Sequence, residues 1–209
     1  MKITYFDSRG LADVTRCMFK MADVPFEDDR LASFFTRPGD FTTITCPEFD
    51  RRKQNCEFET SMNKLPLFVT SDGTQFGQSK AIERYVARTL GYMGTTEVEC
   101  AQIDAICEHI RDLKDSYTKA KLQESLKAWC AGFIKDTILL NDIIPIFLKQ
   151  SSTPTLAHIA LYNFYYDIID TEMCRKALET CTTLRSMCNM IKYNPRIVDW
   201  EKHRPNAVF

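Results

Sequence analysis

Short alternating apolar stretches dominate the first part of the chain, and long helical periodicities dominate the remainder. Lys2 to Phe6 reads as a strand, since Ile3, Tyr5 and Phe6 favour β structure and Asp7-Ser8-Arg9-Gly10 ends it. Leu11, Val14, Met18, Met21 and Ala22 then recur at helical spacing, predicting an amphipathic helix that stops near Pro25. Phe26 to Leu31 predicts a second strand and Leu65 to Val69 a third. Ser71-Asp72-Gly73 marks a hairpin turn into a fourth strand over Gln75 to Gly77. A helix follows from about Ser79 to Leu90, with Ile82, Tyr85, Val86, Thr89 and Leu90 on its inner face. The order β-α-β, then β-β-α, is that of a thioredoxin-like domain.

From about residue 97 the pattern is helical only. Ile103, Ile106, Cys107, Ile110, Leu113 and Tyr117 form one stripe. Leu126, Trp129, Cys130, Phe133, Ile134, Thr137 and Ile138 form another, and Leu156, Ile159, Ala160, Asn163, Phe164 and Ile168 a third. A final helix is predicted over roughly Met173 to Lys192, with Pro195 closing the packed region. The expected fold class is therefore an α/β thioredoxin-like domain over residues 1–90 followed by an all-helical bundle over 97–209. Residues 91–96, with two glycines and no periodicity, read as the linker.

Composition narrows the setting. The chain has 209 residues, 44% of them hydrophobic, and a formal net charge of -1. That content is ample for a core, which excludes a disordered chain, and the charge balance argues against a nucleic-acid partner. No run of 18 apolar residues exists, so no membrane-spanning helix is expected, and the first residues are too polar for a secretory leader. The nine cysteines are odd in number, and no two stand at Cys-x-x-Cys spacing. Three scattered histidines offer no metal site. A cytoplasmic protein with reduced thiols and no bound metal is the expectation.

Three local features carry chemistry. Tyr5 ends the first strand beside the Asp7–Gly10 loop, where its hydroxyl can donate into a cleft above the sheet. Pro66 interrupts an apolar run where a ladder needs a donor, which implies an edge, a bulge or a cis bond beside a ligand. Gln78-Ser79 precedes a helix. Ser79 suits an N-cap there, and the helix start also suits a carboxylate. Each feature also has an ordinary structural explanation: a core tyrosine, an edge proline, a plain cap. Together on one thioredoxin-like unit they suggest a small acidic thiol peptide as ligand.

Ile3-Thr4-Tyr5-Phe6-Asp7-Ser8-Arg9-Gly10, Asn63-Lys64-Leu65-Pro66 and Gln78-Ser79-Lys80-Ala81-Ile82-Glu83-Arg84-Tyr85 resemble the cytosolic glutathione transferases. The Tyr-Phe-x-x-Arg-Gly opening is most similar to the sigma class, which includes glutathione-dependent prostaglandin D synthases and flatworm enzymes. The resemblance extends to Asn194-Pro195-Arg196 and Arg204-Pro205-Asn206 and is thinner between residues 120 and 190. It implies a glutathione transferase that uses glutathione as co-substrate and attacks a hydrophobic electrophile or a peroxide, or isomerises a prostaglandin. Tyr5 matches the catalytic tyrosine that donates to the sulfur. Leu65 matches the residue whose backbone pairs with the cysteinyl part, Pro66 the cis-proline, and Gln78 and Ser79 the pair that holds the γ-glutamyl carboxylate. Lys64 matches a position that meets the glycyl carboxylate. Asp112 matches an acid that reaches the γ-glutamyl amine of the neighbouring subunit, so a homodimer is implied. Phe6, Leu11 and Tyr117 are candidates for the electrophile pocket, with Phe209 over its opening.

The sequence also departs from the family. Leu11 stands where many sigma-class members have an arginine. Residues 32–62 exceed the usual connection and hold Arg51, Arg52 and Lys53, so the site for the glycine end is unassigned there. His158 replaces an acid that completes a helix-capping box, with Thr153-Pro154 as a substitute cap. These departures keep an alternative alive: a binding or structural protein on the same scaffold, as lens crystallins of this family are. A disulfide reductase is excluded, because no cysteine ends the first strand.

Overall fold

The computed structural model describes residues 1–37, 43–123, 125–148, 153–169 and 172–205. Phe209 lies outside them. The chain divides into two compact units, 87–198 forming one and 1–86 with the stretch from Asp199 onward forming the other.

The first unit is built on a four-stranded sheet in the order β2-β1-β5-β6. Its strands are β1 (Lys2–Phe6), β2 (Glu27–Leu31), β5 (Leu67–Val69) and β6 (Gln75–Gly77), with β1 parallel to β2 and the other pairings antiparallel. A separate two-stranded ladder, β3 (Phe34–Phe35) with β4 (Ile44–Thr45), lies in the connection after β2. Helix α1 (Asp13–Ala22) connects β1 to β2, α2 (Pro47–Gln54) follows β4, and α3 (Ser79–Leu90) follows β6. This is the thioredoxin-like arrangement. Side chains alternate across a strand, so each face of the sheet has its own core. On one face Phe68 stacks near Phe19 of α1, their ring centroids 6.3 Å apart. On the other, Leu31, Cys46, Phe58 and Leu67 are buried together, with Phe6, Phe49 and Leu65 partly buried against them.

That second cluster explains the long 32–62 segment. It supplies Phe49 and Phe58 to the sheet, and a salt bridge from Arg52 to Asp29 at 2.9 Å ties α2 to β2. The segment also covers the sheet's edge. A Cβ on Gly77 would stand 2.5 Å from the Cβ of Ser61, so only glycine lets the turn at Glu59–Ser61 approach β6 so closely.

The second unit contains α4 (Glu97–Leu122), α5 (Leu126–Phe147), α6 (Leu156–Tyr162), α7 (Glu172–Thr180) and α8 (Thr182–Lys192). Helix α4 opens on a capping box: Thr96 Oγ1 accepts from Glu99 N–H at 3.2 Å, and Glu99 accepts from Thr96 N–H at 3.2 Å. Every residue of α6 is buried, as expected of a helix apolar all round.

Four boundaries differ from the sequence reading. The third strand begins at Leu67, because the Leu65-Pro66 peptide is cis and precedes the ladder. The helix expected over Met173 to Lys192 is two helices parted at Cys181. There the break is stabilised from outside, since Asn141 Oδ1 on α5 accepts the N–H groups of Thr183 and Leu184 at 3.0 and 3.3 Å. Pro195 opens a further helix, α9 (Pro195–His203), instead of closing the packed region. Proline at the first helical position loses no bond, and Asn194 Oδ1 accepts from Arg196 N–H at 3.0 Å. Finally, α6 is capped by Thr155 and not by Thr153. The Nδ1 of His158 accepts Thr155 N–H at 3.2 Å, so a neutral imidazole takes the place of the carboxylate.

Candidate functional site

The sheet register assembles the first three candidates. β1 pairs Thr4 with Leu67, and β5 pairs Leu67 with Gly77. Tyr5 follows Thr4, Pro66 precedes Leu67 and Gln78 follows Gly77, so the three residues flank one paired row at the end of the sheet. β2 adds Arg30 beside Tyr5. Ser79, Leu65 and Lys64 are the chain neighbours of that row.

Tyr5 is 8% exposed, its ring enclosed by the loop that follows its own strand. Gly10, at φ 45°, lies so close that a Cβ there would stand 2.6 Å from the Tyr5 hydroxyl oxygen. Burial pushes the phenol's pKa up, opposed by a hydrogen bond from the Leu11 backbone and by the charge of Arg16. The phenol is therefore a protonated donor at neutral pH, with its oxygen already accepting one N–H. Leu11 itself is 41% exposed.

The loop is held from beneath. Asp7 N–H bonds Leu31 O at 2.8 Å and Ser8 N–H bonds Phe6 O at 2.7 Å. Arg16, fully buried on α1, donates to Ser8 O at 2.5 Å and to Phe6 O at 3.5 Å. Its Nε meets Asp28 at 2.9 Å, Asp28 meets Arg30 at 2.7 Å, and Arg30 meets Asp7 at 3.0 Å.

At the other end of the row, Gln78 has φ 72°, a left-handed backbone for a residue with a side chain. Strain of that kind costs about 1–3 kcal/mol and collects at functional positions. The Gln78 carbonyl accepts Ile82 N–H at 3.0 Å, so Gln78 occupies the N-cap place and Ser79 is the first helical residue. The start of a twelve-residue helix, with Ser79 on it, is thus aimed from the end of this row. Lys80 is engaged by the buried Glu83 at 2.8 Å. Lys64 is exposed, in a turn where Ser61 Oγ donates to its carbonyl at 2.6 Å.

The other two expected pocket residues each pack within their own unit. The period of two turns Phe6 to the face opposite Tyr5, yet its ring still meets the Tyr5 ring edge-on at 5.4 Å, as it meets Phe49 at 5.5 Å within the α2-side cluster. Tyr117 is 2% exposed and packs on Trp129 at 5.1 Å, inside the core of the helical unit. Asp112, also in that unit, is exposed, with Arg111 at 3.4 Å. It lines a groove between α4 and α5 with His109, Ser116 and Asp136.

Comparison with known proteins gives relatives along the whole chain. The chain is 28% identical over 223 residues to glutathione S-transferase 3 of Caenorhabditis elegans, covering 100% of this chain and 98% of that one. It is 28% identical over 212 residues to the hematopoietic prostaglandin D synthase of Gallus gallus, covering 99% and 97%. Over its whole length the chain is similar to glutathione S-transferases. The solved glutathione S-transferase of Ascaris lumbricoides superposes with a TM-score of 0.77 at 23% identity, over 100% of this chain and 98% of that one. No protein-family model matches.

Sequence reasoning missed Arg16, Asp28 and Arg30. A signal was present: a cation inside the α1 helix and a mostly acidic strand, Glu27-Asp28-Asp29-Arg30, need each other if buried. Of the basic residues in the long segment, Arg51 pairs with Glu48 and Arg52 with Asp29 and Glu57. Among the described residues no cluster of His, Cys, Asp and Glu suits a metal ion.

Proposed function

We propose that the protein is a glutathione transferase in which Tyr5 stabilises the glutathione thiolate for attack on an electrophilic small molecule. The observation that carries this is that Tyr5, Pro66 and Gln78 flank one paired row of the sheet: a protonated buried donor at one end and an exposed helix start at the other. A free thiol has a pKa of about 8.5, so little of it is ionised at neutral pH, and the thiolate is the nucleophile. A phenol O–H aimed at the sulfur stabilises the anion, and each unit by which the thiol pKa falls needs about 1.36 kcal/mol. Leu65 offers extended backbone to the cysteinyl unit, and Gln78 with Ser79 receives the γ-glutamyl carboxylate at the start of α3. Lys64 meets the glycyl carboxylate. Leu11 forms an apolar wall for the electrophile. The active form in this reading is a cytoplasmic homodimer, in which Asp112 completes the neighbouring site.

The test is conjugation of glutathione to a generic aryl halide by the wild type and Tyr5→Phe. Saturable turnover that falls at least tenfold in the variant, about 1.4 kcal/mol of barrier lowering, is expected. Equal activity in both would remove Tyr5 from the chemistry. Absence of both turnover and glutathione binding, the latter by calorimetric titration, would leave a structural scaffold.

A further inference from the structure

A guanidinium fully removed from water is costly unless its charge and its donors are all answered. Arg16 is among the largest fully buried side chains of the protein, on a helix face that an apolar residue of similar volume would fill. Its donors go to Asp28 and to the carbonyls of Phe6 and Ser8. Those carbonyls bracket Asp7, the first residue of the loop that carries Gly10 and the Leu11 N–H to the Tyr5 oxygen. The guanidinium carbon lies 5.9 Å from the centre of the Tyr5 ring. The charges that face Arg16 are Asp28 and Arg30 from β2 and Asp13 from its own helix. Arg30 also holds Asp7, and Asp13 lies 3.6 Å from Arg204.

We propose that Arg16 is the positioning residue for the Tyr5 donor: it clamps the loop that delivers the Leu11 N–H to the phenol oxygen, and its buried charge strengthens the phenol as a hydrogen-bond donor to the thiolate. This rests on the role of Tyr5 given above. It also accounts for Leu11, since a positive charge behind the ring serves where the pocket side is apolar. Asp28 then sets how much of that charge Tyr5 feels.

The prediction has a sign for each partner. In Arg16→Met the midpoint of the pH profile of kcat/KM for glutathione conjugation moves up. A rise of roughly one unit lowers the rate about tenfold at pH well below the wild-type midpoint and leaves it nearly unchanged well above it. Arg16→Lys keeps the charge and returns the midpoint toward wild type, and Asp28→Asn moves it down. Equal losses at every pH in Arg16→Met, in proportion to a lowered melting temperature, would make Arg16 structural only and overturn the proposal. If Arg16→Met does not fold, Asp28→Asn decides: a midpoint unchanged or raised sinks the idea. A wild type without turnover, or a Tyr5→Phe variant of equal activity, would be a failure of the Tyr5 reading instead. In that event the phenol of Tyr5 is titrated by ultraviolet difference against Tyr5→Phe, without glutathione. An upward shift in Arg16→Met upholds the coupling, and no shift overturns it.

Discussion

At the scale of single residues, the site depends on how closely backbone approaches Tyr5. Gly10 is the tightest point. Its φ of 45° lies where side chains are disfavoured, and a Cβ there would meet the Tyr5 oxygen at 2.6 Å and Cε1 at 2.8 Å. Those atoms belong to a ring wedged in place, so the alanine methyl cannot be absorbed by a flexible chain end. Gly10→Ala is expected to lower stability by about 1–2 kcal/mol through the backbone alone. Conjugation should fall by more than tenfold, because a displacement of the donor by even an ångström is costly. Thermal unfolding and steady-state rates would check the two effects separately. A stable variant with wild-type turnover would show that the phenol is not held where its chemistry needs it. Gly10 and Tyr5 are both visible in the Tyr-Phe-x-x-Arg-Gly pattern, yet their contact is not. The sequence shows a loop after a strand, and only the fold brings the loop back over the ring.

At the scale of elements, legibility follows from how local the causes are. The strands of the first unit and the helix from Ser79 to Leu90 are legible because their periods and turn residues lie within each stretch. The break at Cys181 is not, because the group that caps α8 is Asn141 on another helix. α6 gives a case in between. The Thr155-to-His158 spacing is that of a capping box, but a histidine can accept the Thr155 N–H only when its Nδ1 is unprotonated. Burial pushes the His158 pKa down to about 4 from its ordinary 6.5. The unfolded chain then binds a proton before the folded one does. Between pH 6.5 and about 4 stability therefore falls as the solution becomes more acid, and above pH 6.5 the contribution is complete. The difference amounts to roughly 3 kcal/mol at most. His158→Gln keeps an acceptor at the box without a titrating group. Urea unfolding at pH 7 and pH 4.5 is expected to show a smaller loss in the variant than in the wild type. Parallel losses would mean that the imidazole does not titrate with folding.

At the scale of the whole molecule, the fold class is legible because the period of the apolar pattern changes partway along the chain, from strands and helices to helices alone. The return of the chain's last stretch to the first unit has no such signal. It depends on contacts between residues almost the full length of the sequence apart. Arg204 carries one of them. Its guanidinium packs 5.3 Å from the centre of the Trp200 ring, and its Nη1 lies 3.6 Å from Asp13 Oδ2, a carboxylate whose side chain is 1% exposed. Asp13 begins α1, where a negative charge suits the helix dipole, but a buried carboxylate also needs a cation nearby. Removing only the cation leaves that charge poorly answered, whereas removing both charges does not. Arg204→Met is therefore expected to destabilise the protein by about 1–3 kcal/mol, and Asp13→Asn by a smaller amount through the helix start. Combined, they should cost less than their sum, with a coupling of about 0.5–3 kcal/mol. Chemical denaturation of the four proteins of this cycle measures it. Strictly additive losses would mean that the chain's end contributes to the first unit through Trp200 and apolar packing alone, with Asp13 answered by the groups of its own helix and loop.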